Sequence, residues 1–203
     1  MRYCHRMDDV VIRGIDLASR AGELLDIQAL AFGLTDDDIA VRRQIVARHA
    51  GYPGVRAFGA VLATGPRAGA AVGFGYGMPN NRSHWWSTVI QPYLERADHG
   101  EWLDDSFAIT ELHVLPAFQK RGLGRALLTT LVAGVPCKRS ILSAIEGRTP
   151  ARRLYHSLGY TDLAGPVRFP GTEKPYVVMG APLPLPGVSG GAAAPSGLPR
   201  PRP

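Results

Sequence analysis

The run from Ile109 to Leu128, I-T-E-L-H-V-L-P-A-F-Q-K-R-G-L-G-R-A-L-L, leaves the fewest folds open to this chain. A β-rich stretch ends at a proline, and after a short polar turn two glycines open an apolar, helix-periodic segment. A strand that runs straight into such a helix buries a sheet face against it, which is the build of an α/β layered domain. The rest of the sequence keeps the same alternation. Asp9–Leu17 reads as a strand, and Ser19 is placed to cap a helix through Phe32 with Leu24, Leu25, Ile27, Leu30 and Ala31 inward. Thr35 and three aspartates open a second helix that Gly51 and Pro53 stop. Strands follow at Val55–Ala63, Gly69–Met78 and Phe107–Leu115, then a helix at Gly122–Val135, a strand at Ser140–Ile145 and a helix at Pro150–Leu158. Val167–Phe169 and Tyr176–Met179 read as closing strands, so the pattern predicts one α/β domain with a mixed central sheet flanked by helices over 9–181.

Residues 80–106, between the third and fourth predicted strands, are too long for a normal connection and contain all three tryptophans. They read as an aromatic insertion. Trp86, Val89, Ile90, Tyr93 and Leu94 have helical spacing, and Pro92 is expected to kink or end that helix. Residues 182–203 are rich in Pro, Gly and Ala without apolar period and are expected to be a disordered tail, as residues 1–8 are expected to be flexible.

Several classes fall away on composition. No apolar stretch is long enough to span a bilayer and no secretory leader precedes the domain, which predicts a cytoplasmic chain with no membrane partner. Cys4 and Cys137 are far apart and lack a Cys-x-x-Cys or His pair, so neither a disulfide framework nor a metal site is expected. The net charge of +6 points to anionic or phosphorylated partners. Residues 120–153 carry eight basic residues and one acid, whereas the insertion is net −3. The aromatics therefore sit in the acidic segment, opposite to a nucleic-acid groove, and no nucleic-acid partner is expected.

Gly122 and Gly124 would let a phosphate approach unpaired N–H groups at a helix start, with Lys120, Arg121 and Arg125 nearby. Leu127 occupies the third position of a dinucleotide fingerprint, and the P-loop ending is missing. The run V-L-P-A-F-Q-K-R-G-L-G-R-A-L-L instead resembles the acetyl-CoA signature of the GCN5-related N-acetyltransferase (GNAT) family, [Q/R]-x-x-G-x-[G/A], with Gln119, Gly122 and Gly124 in its places. Downstream, Ala151–Tyr160, A-R-R-L-Y-H-S-L-G-Y, is similar to the family's A-x-x-L-Y-x-x-L-G-[F/Y] helix. One position departs: Arg148 stands where the family often has an Asn that helps hold CoA, and Thr149 with Pro150 is expected to cap the helix instead.

The resemblance implies acetyl-CoA as acyl donor, with no metal. It implies that backbone amides of Arg121, Gly122, Leu123, Gly124 and Arg125, beside Gln119 and Lys120, hold the pyrophosphate, while Leu112, His113 and Val114 pair their backbone with the pantetheine arm. A lysine-like amine of pKa ~10.4 must shed a proton, at a cost of about 4.6 kcal/mol at pH 7, before it can attack a thioester. Glu111 matches a family position that often supplies the base, and His113 titrates in the useful range. Unbroken strand alternation puts Ile109, Glu111 and His113 on one face, and Thr110, Leu112 and Val114 on the other. Tyr155 matches the family tyrosine that protonates the departing thiolate, and a bulge near Val114 would free an N–H for the thioester oxygen. Cys137 is remote from that strand in sequence, which argues for direct transfer without a covalent enzyme intermediate.

The insertion has two readings. Trp85, Trp86 or Trp102 face an amine while Asp104 or Asp105 balances its charge, or the tryptophans form a small core of their own. The leading functional expectation is acetylation of a small-molecule amine. A protein or peptide acceptor is the alternative, and a non-catalytic acyl-CoA-binding module is another. A homodimer is what the resemblance implies for assembly.

Overall fold

The computed structural model describes residues 10–32 and 35–186. The N-terminal segment 1–8 and the tail beyond 186 lie outside those residues. In chain order the elements are β1 (Val10–Gly14), α1 (Ala21–Phe32), α2 (Asp36–Ala50), β2 (Arg56–Leu62), β3 (Ala71–Pro79), α3 (Trp85–Arg96), β4 (Ser106–Val114), α4 (Leu123–Val132), β5 (Arg139–Ile145), α5 (Pro150–His156), β6 (Thr161–Val167) and β7 (Tyr176–Pro182). The strands form one sheet in the order β1-β2-β3-β4-β5-β7-β6. Only β4 and β5 run parallel, because α4 carries the chain back between them.

The stretch Gly73–Met78 of β3, G-F-G-Y-G-M, shows how the sheet recruits a layer on each face. Phe74, Tyr76 and Met78 pack with Leu24 and Leu25 of α1 and Val46 of α2. The intervening glycines face the other way, where a Cβ on Gly75 would lie 3.0 Å from Leu112 and 3.7 Å from Leu131 of α4. With no side chains there, α4 lies close against the sheet, and Leu127, Leu128 and Leu131 are fully buried. The insertion covers the far end of the sheet through α3, whose Ile90 and Leu94 pack with Ile141, Leu163, Val167 and Val178.

The β3–β4 ladder is broken once. Tyr76 pairs with Glu111 but Gly77 pairs with Ile109, so Thr110 is an extra residue in β4. Gly77 permits it, since a Cβ there would meet the Ala108 carbonyl at 2.4 Å. The bulge resets the alternation. Ile109 packs toward α4 with Phe107, and Leu112 does the same, while Glu111 and His113 face α1 and α2. Ile109 therefore does not share a face with Glu111, contrary to the unbroken alternation, and the bulge lies upstream of Val114 rather than at it.

Other expectations shift with the packing. Helix α1 begins at Ala21, and Ser19 is no cap: its N–H donates to Asp16 Oδ1 at 2.7 Å. Leu30 is exposed, the inward position being held by Gln28, 3% exposed. Pro92 does not end α3, because it sits on the exposed side where the lost backbone bond faces water, while Ile90 and Leu94 anchor the buried side. β6 starts at Thr161, and its Pro166 is tolerated because the strand lies at the sheet edge. The folded domain also runs past residue 181: Leu185 is 4% exposed in the core, and Pro186 sits against Gly159.

Candidate active site

After β4 a single 3-10 turn, Pro116–Phe118, redirects the chain. The Gln119 amide donates to the Val114 carbonyl at 3.0 Å and ties the loop to the strand end. Lys120 and Gly122 then adopt positive φ, 59° and 78°. Among the described residues the N–H groups of Lys120 to Arg125 have no hydrogen-bond acceptor, and Ala126 is the first whose N–H is taken, by Gly122 O at 3.0 Å. Left-handed residues at a helix start aim successive N–H groups into one concavity, which suits an anion such as a phosphate. Two of the expected cations are held by the protein itself. Arg121 donates to Ala117 O at 2.9 Å and lies over the Phe118 ring, while Arg125 donates to Ser157 Oγ at 2.6 Å. Gly124 lies against Leu154 of α5, where a Cβ would be 3.2 Å from the leucine, so its smallness serves helix packing.

Beside this loop the sheet opens. β4 and β5 pair only at Ser106/Arg139, Phe107/Ser140 and Ala108/Ile141, although both strands continue. Among the described residues β4 has no strand neighbour on that edge from Ile109 onward. The Leu115 N–H donates to Val72 O of β3 at 2.9 Å, so by alternation Leu112 and Val114 direct their backbone groups to the opening, and His113 directs its own to β3. Leu112 and Val114 thus stand where an extended chain could add to the sheet, whereas the His113 backbone is turned away from it.

Glu111 faces the other flank of the opening. His113 Nε2 is 2.6 Å from Glu111 Oε2, and Arg42 of α2 brings Nη1 to 3.5 Å from Oε1. Burial pushes the Glu111 carboxyl up, but the hydrogen bond and charge of His113, the charge of Arg42 and the Gln28 amide outweigh it and hold the group below its ordinary value. An anionic carboxylate next to an imidazole can take a proton. Tyr76 lies directly across the ladder from Glu111, with its hydroxyl 3.2 Å from His49 Nδ1. Burial and the Glu111 charge push the Tyr76 phenol strongly upward. Burial also raises Tyr176, which senses Arg42 and Glu111. None of Arg42, Gln28, His49, Tyr76 and Tyr176 was singled out from sequence, since only the fold brings these elements to Glu111.

The chain from β3 to the start of β6 holds the opening, the loop, α4 and α5. A family model described as an acetyltransferase (GNAT) domain matches residues 67–162. Over that segment, a little under half of the chain, the protein is similar to the GNAT acetyltransferases. A GCN5-like protein acetyltransferase of Mycobacterium tuberculosis is 34% identical over 134 residues, 62% of this chain and 63% of that protein, so the match spans less than two thirds of the relative. Among solved structures, Arabidopsis thaliana NAA60 in complex with a bisubstrate analogue superposes with TM-score 0.62 at 18% identity, covering 86% of this chain and 99% of that one. The ribosomal-protein-S18-alanine N-acetyltransferase of Escherichia coli gives 0.59 at 16% identity, covering 89% and 97%. At such identity the structures share the fold.

Within the matched segment Tyr155 of α5 is buried in the core with Ile109 and Tyr160. Burial pushes its phenol up to about 12, with the negative charge of Glu111 adding to the rise, and its hydroxyl has no hydrogen bond among the described residues. Thr149 caps α5 by accepting from the Arg152 N–H at 3.2 Å, with Pro150 opening the helix. The two ends of the insertion pack differently. Trp102 packs over Gly180 under Arg139, and Asp104 and Asp105 pair with Arg82 and Lys138, so these three residues do not face Glu111. At the other end of the insertion Trp86 Nε1 donates to Ser143 Oγ of β5 at 3.2 Å, His84 stacks on Tyr52 at 4.7 Å, and Trp85 leans on Phe169, which meets Tyr176 edge-on at 5.2 Å. Cys137 packs at the edge of the core, and burial pushes its thiol up, the opposite of an activated nucleophile. Among the described residues no cluster of three or more His, Cys, Asp or Glu could hold a metal, and no helix is long and apolar enough to cross a membrane.

Proposed function

We propose that the chain is an acetyl-CoA-dependent N-acetyltransferase that passes the acetyl group directly to the primary amine of a small molecule. The observation that carries this reading is one juxtaposition: unpaired N–H donors at the start of α4 lie beside the β4–β5 opening, and the Glu111 carboxylate stands on its other flank. In this reading the N–H groups of Arg121 to Arg125 hold the pyrophosphate, and Leu112 and Val114 bind the pantetheine arm. When bound, acetyl-CoA supplies the acetyl thioester. Glu111 accepts the proton that the attacking amine loses, directly or through a water, with His113 orienting the carboxylate. An outward N–H of Leu112 or Val114 stabilises the charge that develops on the thioester oxygen. Tyr155, neutral at any working pH, gives a proton to the thiolate as the carbon–sulfur bond breaks and the carbon–nitrogen bond forms.

Support for a small acceptor comes from the aromatic groups of the insertion and its neighbours, His84 on Tyr52 and Trp85 against Phe169, which adjoin His49 and Tyr176, two groups that sense the Glu111 charge. The relatives favour a second reading, a protein amine, because two of them are named as acting on proteins. CoA release from acetyl-CoA, screened against small amines and against lysine-bearing and free-N-terminal peptides, separates the two. Turnover with small amines is expected, turnover with peptides alone would move the assignment to the second reading, and no turnover with either would overturn both.

A further inference from the structure

We infer that Arg42 reads a carboxylate on the acceptor, so that the acceptor is a zwitterion of the free amino-acid type; this rests on the acetyltransferase reading above. Arg42 reaches from α2 to Glu111, yet at 3.5 Å the contact is an ion pair and not a hydrogen bond. Its guanidinium makes no hydrogen bond among the described residues, and the side chain is 37% exposed. The other acid that senses it, Asp38, is engaged in the helix cap with Thr35 at 2.7 and 3.0 Å. Glu111 is held differently on its two oxygens. Oε2 is fixed by His113 at 2.6 Å, whereas Oε1 faces Arg42 across the looser gap.

With Oε2 taken by His113 and the Gln28 amide also on the carboxylate, a plain cationic amine that comes to the Oε1 side lies against the like charge of Arg42. A molecule with a carboxylate next to its amine exchanges partners without that penalty. Its amine takes Glu111, its carboxylate takes the planar donor fork of Arg42, and no charge is left unpaired. A lysine side chain or a protein N-terminus has no free carboxylate beside its amine and cannot make this exchange.

The test compares free amino acids with their carboxamides, by kcat/KM for CoA release, in wild type, Arg42→Gln and Arg42→Lys. Wild type is expected to favour the acids at least tenfold, Arg42→Gln to bring the acid-to-amide ratio near one, and Arg42→Lys to restore part of it. The ratio is internal to each variant, so a general loss of folded enzyme does not move it. Equal rates on acids and amides in wild type would overturn the inference and leave the acetyltransferase reading standing. No CoA release with any amine, in protein that binds acetyl-CoA, would overturn both.

Discussion

His113 Nε2 and Glu111 Oε2 stand 2.6 Å apart on the flank of β4 that faces α1 and α2, two residues along the strand and beyond the bulge at Thr110. This contact works against the burial that pushes the carboxyl up. Removing the carboxylate by Glu111→Gln is expected to lower kcat about 10²- to 10⁴-fold. The acetyl-CoA affinity of the variant should stay close to wild type, because the pyrophosphate loop is untouched. Turnover and titration calorimetry on the same preparation check both halves of the statement.

The lowered Glu111 carboxyl also fixes a sign for acid stability. Its pKa in the folded chain lies below the ordinary 4.5, so it favours folding above that value and the contribution is lost as pH falls through the folded value. Thermal melts from pH 7 downward should show wild type losing more stability than Glu111→Gln below about pH 5. Parallel curves for the two proteins would contradict the assignment of an ionised, paired carboxylate.

Tyr155 gives the opposite limb. Its phenol is raised to about 12, chiefly by burial, so it favours folding below the ordinary 10 and loses that contribution as pH rises toward the folded value. Tyr155→Phe is expected to cut kcat by at least ~10²-fold with a stability change under about 1 kcal/mol at pH 7, since the hydroxyl has no hydrogen-bond partner to lose. Urea unfolding at neutral pH, beside single-turnover rates, separates the catalytic effect from the structural one.

Gly122 and Gly77 test the two backbone features that shape the site. Gly122→Ala places a side chain at φ 78° and should cost about 1–2 kcal/mol while weakening acetyl-CoA binding. Gly77→Ala drives a Cβ toward the Ala108 carbonyl and should cost about 2–3 kcal/mol, read as a lower denaturation midpoint. If Gly77→Ala left the midpoint unchanged, the close approach of β3 to β4 at the bulge would be wrong.

Leu185, beyond residue 181, is part of the folded core. It is packed in the core under α5, so Leu185→Ala should cost about 2–5 kcal/mol, whereas a substitution in a loose tail would cost nothing measurable.

The elements that the sequence announces are those whose pattern is local. The Gln119–Arg125 turn, the capping box of Thr35 with Asp38 and the Thr149–Pro150 helix start are each written in a few neighbouring residues, and they stand where the pattern puts them. The misreadings come from relations between distant segments. The extra residue at Thr110 exists because Gly77 lets two strands close up, and no period within Ile109–Val114 reveals it. β6 spans Thr161–Val167 instead of Val167–Phe169, because Gly165 and Pro166, poor strand residues, are tolerated at a sheet edge. Leu30 looks like a core residue by spacing, yet the inward place belongs to Gln28, a polar side chain kept there by Glu111. Arg42 carries no local signal at all.

Calorimetric titration of the folded protein with acetyl-CoA tests the central claim most directly, because every assigned role depends on the opening between β4 and β5 and on the loop that starts α4. Saturable binding of one acetyl-CoA per chain in the micromolar range, weakened by Gly122→Ala, is the predicted result. A folded sample that gives no binding heat and no competition by CoA would contradict the account.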